Sequence, residues 1–199
     1  DQTTDTPTNN FATLNALDNF YFSGTFSEGN LKVASNSAVE SYITNTMGVS
    51  TGKWYWEIKI TSSGSGRDFV GIADTLATAS IPFPSNSKVI SYYGFDGQSV
   101  NGSTGNGAYG DTFGTGDIIG VAMDLDNYKL YFSKNGTFQN SGVPTSGATG
   151  TGALAIDSSP ADGVYYSQFA NIHNTASTFE ANYGNPSFTI TTGNADANG

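Results

Sequence analysis

Apolar residues recur at every second position along much of the chain, and polar or glycine-rich breaks separate the runs. Period two marks strands with one buried face. From Ile118 to Leu125 the alternation sets Val121, Met123 and Leu125 on one face and Ile119, Ala122 and Asp124 on the other. Asp126-Asn127 breaks that run, and asparagine is among the few residues that tolerate the positive φ a two-residue hairpin turn requires. Lys129 to Ser133 returns as a strand with Leu130 and Phe132 on one face, and Asn135-Gly136 then supplies the strongest short-range hairpin signal. A three-strand antiparallel meander is expected.

The same reading predicts a central core strand over Trp54 to Ile60, with Trp54, Trp56, Ile58 and Ile60 facing one way and Tyr55, Glu57 and Lys59 the other. Short strands are expected at Phe20 to Phe26 and Asn30 to Ala34, around the Ser27-Glu28-Gly29 turn, and at Ala38 to Thr44. Others follow at Asp68 to Ala73, Val89 to Phe95, Gly163 to Ala170 and Ser177 to Tyr183, with Ser187 to Thr192 closing the structure. Residues 75 to 88, holding Pro82, Phe83 and Pro84, read as a loop; Asp96 to Gly110 reads as a glycine-dense excursion and 141 to 152 as a second loop. Residues 1 to 19 read as an extended arm or linker in which Phe11, Leu14 and Leu17, although at helical spacing, fit anchors of the arm better than a helix, and 193 to 199 as a tail extending toward more protein. The first residue is Asp, which fits a processed chain or part of a longer one. No fixed-period repeat and no amphipathic helix longer than about three turns is visible.

Composition narrows the functional classes. A net charge of −10 with seven Lys plus Arg argues against nucleic acid and anionic membranes, since both require clustered cations. No apolar run approaches the roughly 20 residues of a membrane span. The absence of Cys leaves the compartment open, and 199 residues suffice for a core without disulfides.

Five blocks carry a resemblance: GKWYWEIKI (52 to 60), FVGIA (69 to 73), YYGFDG (92 to 97), FGTGDIIGVAMDLDNYKLYFSKNG (113 to 136) and ANYGNPSF (181 to 188). In this order the chain resembles a SPRY (B30.2-type) domain over roughly residues 30 to 190. The resemblance implies an all-β, bent antiparallel sandwich of the concanavalin-like jelly-roll type, spanning 20 to 192, whose loops at one end bind a partner, usually a protein or peptide. It also implies no catalysis. The segment after VGIA and the one leading to YYGFDG belong to the family's binding face, which nominates Asp74, Thr75 and Phe83. TDTPTNNFATLN, at the amino-terminal end, is similar to segments preceding such domains in tail and other structural proteins of bacteriophages.

Loops on a rigid sandwich can change partners without changing the core. Besides Asp74, Thr75 and Phe83, the loop candidates are Asn101, Asn106, Tyr109, His173 and Asn174: Phe83 and Tyr109 for flat contact area, the asparagines for adaptable hydrogen bonds. Candidate chemistry is weaker. Gly105 to Gly110 fits a bare GxGxxG, but Asp111-Thr112-Phe113-Gly114 cannot open the helix a phosphate cradle needs. His173, the one histidine, reads as a surface or ligand-contact residue more than a general base. Asp124 and Asp126 share a strand face, yet Tyr128 occupies the fifth position of the calcium loop they would begin, so hairpin capping fits them better. Asn135-Gly136-Thr137 and Asn101-Gly102-Ser103 match the glycosylation sequon, the first of them explained as a turn.

The expectation is a non-catalytic binding or structural module of a bacteriophage virion protein, located in a virion or outside the cell. Its expected partners are other virion proteins or a host-surface protein or glycan, with homo-oligomerisation in the particle open. No cofactor, metal, nucleic acid or membrane insertion is expected. The alternatives are a decoration or cement protein touching only virion subunits, and a carbohydrate-binding or carbohydrate-active jelly roll.

Overall fold

A computed structural model describes residues 10–20, 24–35, 41–76, 89–102, 104–172, 175–186 and 188. The expected strand at 187 to 192 apart from residue 188, the tail, the first nine residues and most of the 75 to 88 loop lie outside the described residues. In chain order the strands are β1 (Leu14–Phe20), β2 (Thr25–Ser27), β3 (Lys32–Ala34), β4 (Ser41–Asn45), β5 (Lys53–Ser62), β6 (Asp68–Ala73), β7 (Val89–Tyr93), β8 (Gln98–Asn101), β9 (Thr104–Ala108), β10 (Ile118–Asp124), β11 (Lys129–Lys134), β12 (Thr137–Phe138), β13 (Leu154–Ala155), β14 (Tyr166–Asn171) and β15 (Thr178–Asn182). Short 3-10 turns at Glu28–Asn30 and Pro144–Thr149 are the helical elements among the described residues.

The strands form two antiparallel sheets. One, with seven strands, runs β1-β4-β14-β6-β7-β8-β9; the other, with eight, runs β12-β11-β10-β5-β15-β3-β2, with β13 on β11. The all-β sandwich that the resemblance implies is therefore present, and β5 is central, as its alternation predicts, between β10 and β15. Between the sheets lie Ile43, Val70, Ile72, Tyr92 and Phe169 from one side and Trp56, Ile58, Ile60, Val121, Met123, Leu130, Phe132 and Phe179 from the other. Ile119 belongs with Val121 and Met123 in this core, not on the opposite face, because an unbroken strand puts all its odd positions together.

The seven-stranded sheet is also buried on its outer side, where Tyr42, Phe69, Ala73, Val89, Val100 and Ala170 form a second apolar cluster. All six residues of β6 are buried in consequence. That is why DFVGIA reads as a continuous run while β5 alternates.

The two turns of the meander differ. Asn135 and Gly136, at φ 49° and 83°, close a two-residue hairpin between Lys134 and Thr137, as their sequence requires. The expected Asp126-Asn127 turn is wider: Asp124 pairs with Lys129, so four residues intervene, and the positive φ of 55° falls on Tyr128. The carboxylate of Asp124 accounts for the difference, since it accepts the N–H groups of Asp126 and Asn127 at 3.1 Å each and organises a longer loop.

Two segments read as irregular are strands. The glycine-dense 96 to 110 stretch forms the edge hairpin β8–β9, where small residues suit an edge that packs little. The supposed arm enters the sheet at Leu14, which is fully buried. Asn15 Oδ1 then accepts the N–H groups of Leu17 and Asp18, bends the strand, and leaves Leu17 98% exposed at a register shift.

Candidate functional site

Strand register collects one set of connections at one end of the sandwich. The end of β4, the start of β5 and the β10–β11 turn meet there, with the end of β6, the start of β7, the end of β8 and the approach to β14. Hydrogen bonds cross from loop to loop around this rim. Val49 and Tyr165 exchange both backbone bonds, at 2.9 and 2.8 Å, and so tie the 46–52 connection to the segment before β14. Gly52 donates its N–H to Asp126 Oδ1 at 3.1 Å, and its carbonyl accepts from Leu125 at 2.9 Å. Asp74 accepts the N–H of Ala161 on Oδ2 at 3.1 Å and that of Asp162 on its carbonyl at 2.9 Å; Asp162 Oδ2 in turn accepts from Leu76 at 3.0 Å.

This frame holds three large side chains in solvent: Met47, Trp54 and Tyr128, exposed by 43%, 47% and 40%. Trp54 shares the inner face of β5 with Trp56 but lies at the strand's end, so it stands at the mouth of the core, its indole donating to Thr51 O at 2.7 Å. Acidic side chains dominate the polar part, with Asp126, Asp157 and Asp162 all exposed.

Buried phenols support the rim from beneath. Burial pushes the Tyr165 hydroxyl up to about 12, reinforced by Asp74 and Asp157, so it stays protonated and donates to Asp157 O at 2.7 Å. Tyr42 is raised further, by burial first and then by Asp18, Asp74 and Asp162.

The sequence candidates are divided by this geometry. Asp74, Thr75 and Asn101 belong to the rim end; Asp74 is buried and serves the frame, whereas Asn101 is exposed at the β8–β9 turn, where Gly102 donates to Val89 O at 2.8 Å. Asn106 is exposed on the edge strand β9, away from the rim. Tyr109 does not supply loop surface: it is 4% exposed, packs edge-on against Tyr92 and Phe132, and its hydroxyl accepts the N–H of Phe132 at 3.1 Å. Its aromatic ring won over the surrounding glycines. Phe83, His173 and Asn174 lie outside the described residues. Met47, Trp54 and Tyr128 were missed, Trp54 because its parity marks it as core, although its place at a strand's first turn signals a mouth position.

Asp124 does cap the hairpin. Burial alone would raise its carboxyl, but hydrogen bonds from Lys53 and from the side chain and backbone of Asn127 outweigh burial and hold it below the usual range. A depressed carboxyl contributes stability that is present above pH about 4 and lost as pH falls through its folded value. Asp124→Ala is expected to cost about 2 kcal/mol at neutral pH and to flatten the acid limb, measured by urea titrations across pH.

A family model for the SPRY domain matches residues 53–159. Among relatives, Ran-binding protein 9 of Xenopus tropicalis is 33% identical over 122 residues, which are 55% of this chain and 22% of the relative. The human protein of that name is 33% identical over 129 residues, 60% of this chain and 17% of the relative. The Drosophila melanogaster Ran-binding proteins 9/10 homolog is 37% identical over 90 residues, 44% of this chain and 9% of the relative. The chain thus spans less than a quarter of the length of these relatives. The crystal structure of the SPRY domain of human HERC1 superposes with a TM-score of 0.65 at 16% identity, covering 81% of this chain and 92% of that one, and shows the shared fold. The relatives are proteins of animal cells, and they overturn the expected virion or extracellular location, which rested chiefly on the resemblance of the short amino-terminal segment. The five sequence blocks, the two-sheet frame and the match across the strands from β5 to β13 converge: this chain belongs to the SPRY domain family, whose members are protein-binding modules.

Proposed function

We propose that this domain binds a protein partner through the rim built from residues 46–52, 125–128 and 157–165, with Asn101 and Thr75 at its margin. The observation that carries the reading is the cross-hydrogen-bonded frame that holds Met47, Trp54 and Tyr128 in solvent. Exposed aromatic side chains bind well because they have little rotamer freedom to lose, and a flexible thioether adapts to the partner's surface. Asp126, Asp157 and Asp162 around them, in a chain of net charge −10, favour a partner segment that sets Lys or Arg beside an apolar residue. The relatives are named for binding Ran, which makes Ran the first protein to try.

The test is a random-peptide display selection on the purified chain, with Ran as competitor. Enriched peptides are expected to carry basic residues next to apolar ones, and Trp54→Ser combined with Tyr128→Ser is expected to weaken them at least about tenfold without changing the fold. Peptides that bind this double variant as well as the parent chain contradict the reading, as does a selection that enriches nothing.

A further inference from the structure

At the end of the sandwich opposite the rim, where β6 starts and β7 finishes, side chains stack in a ladder. The Arg67 guanidinium lies 5.0 Å from the Phe95 ring centroid, Phe95 lies 6.0 Å from Tyr93, and Tyr93 stacks on Phe69 at 4.1 Å with 9° between the planes. Phe95 is 53% exposed although its turn is fixed: Gly94 donates to Asp68 O at 2.9 Å and Gly97 to Tyr93 O at 3.0 Å. The fold gains little from an aromatic ring held half in water.

Arg67 is the second anomaly. The chain has 17 acidic residues against seven Lys and Arg, and Lys32, Lys53 and Lys134 are each ion-paired. Arg67 makes no ion pair among the described residues. Its acidic neighbours are engaged elsewhere. Asp68 is fully buried and accepts from Asn171 at 2.9 Å and Ser63 at 2.6 Å, and Asp96 Oδ1 accepts the N–H of Gln98 at 3.0 Å. A guanidinium held over a ring face still has N–H donors for a carboxylate, which its fork can meet in bidentate fashion.

We propose that Arg67, Phe95 and Tyr93 form a second docking patch, distinct from the rim, for an acidic segment of a partner protein: a carboxylate takes the guanidinium edge and an adjacent apolar side chain lies on Phe95. Charge complementarity is local here. The net charge of −10 disfavours acidic peptides over the molecule as a whole, so acidic-peptide binding that is lost with Arg67→Gln reads this cation and not Lys59 or Lys129.

Fluorescence anisotropy with the labelled peptide Glu-Glu-Phe-Glu-Glu, and with counterparts carrying Gln or Lys in place of each Glu, tests the patch on the full chain. The acidic peptide is expected to bind, and to bind at least about tenfold less well to Arg67→Gln and Phe95→Ser. Arg67→Lys, which keeps charge but not the planar fork, should also weaken it, whereas the Trp54→Ser, Tyr128→Ser rim variant should bind it normally. The idea fails if the acidic peptide does not bind, if the Gln peptide binds as well, or if Arg67→Gln binds it unchanged. Thermal melts of each variant complete the test, since a binding loss that tracks a falling midpoint assigns the ladder to the fold alone.

Discussion

Gly71→Val is expected to leave the chain without a cooperative fold, and Gly71→Ala to destabilise it by more than about 4 kcal/mol, the range reserved for core overpacking that nothing can relieve. Gly71 sits in the middle of β6, between β14 and β7. A methyl group there would stand 2.6 Å from Ser91 Cα and closer still to the carbonyl oxygen of Ile90. Both obstacles are backbone of the paired strand, so no rotamer change relieves the clash and β7 would have to move off the ladder. Because the sheet is buried on both faces, that movement would disturb the inner core at Ile72 and Tyr92 and the outer cluster at Phe69 and Val89 together. Thermal unfolding followed by near-ultraviolet circular dichroism checks this. A Gly71→Ala midpoint within a few degrees of the parent would show that β6 and β7 are not packed as described.

Alkali is expected to unfold the domain in a single cooperative step between about pH 10 and 12. Tyr42, Tyr92, Tyr109, Tyr165 and Tyr183 are all raised above the ordinary phenol value, each chiefly by burial, with Tyr109 and Tyr165 reaching about 12. The sign follows from which state loses protons first. Below about pH 10 these phenols are protonated in both states and contribute no pH dependence; above it the unfolded chain ionises while the folded one resists. Each such tyrosine then costs about 1.4 kcal/mol per pH unit, and five acting together rival the 5 to 15 kcal/mol that hold a typical domain. Burial raises Tyr109 even though its hydroxyl accepts the Phe132 N–H, a bond that by itself favours the ionised form. Tyrosinate absorbance should therefore rise in step with loss of the near-ultraviolet signal. Smooth ionisation of all 11 tyrosines near pH 10 with the fold intact would contradict it.

Period-two patterning made the strands legible because it is set by burial, which acts on every residue of a strand alike, and the five-block resemblance supplied the sandwich. GKWYWEIKI, FVGIA and the 113 to 136 block fall on β5, β6 and the β10–β11 meander. Glycine-rich and polar stretches were less legible. In 96 to 110 the small residues that suggest a loop also suit an edge hairpin, and the inward turn of Tyr109 depends on Tyr92 and Phe132, strands that its local sequence does not reveal. At the rim, alternation marked Trp54 as core, while exposure came from its position at the strand's end. Asp74, named for recognition, is buried in the frame and accepts from Ala161, 87 residues along the chain. The amino-terminal resemblance gave a location that the animal relatives contradict, because a short polar segment carries little information.

Hydrogen–deuterium exchange of the full chain, free and saturated with a peptide enriched in the display selection, locates the recognition surface most directly. Protection concentrated at 46–52, 125–128 and 157–165, with the Arg67–Phe95 end unchanged by that basic peptide, is the expected result. Protection confined to the outer strands of either sheet, with those three segments exchanging as they do in the free chain, would contradict recognition by the rim.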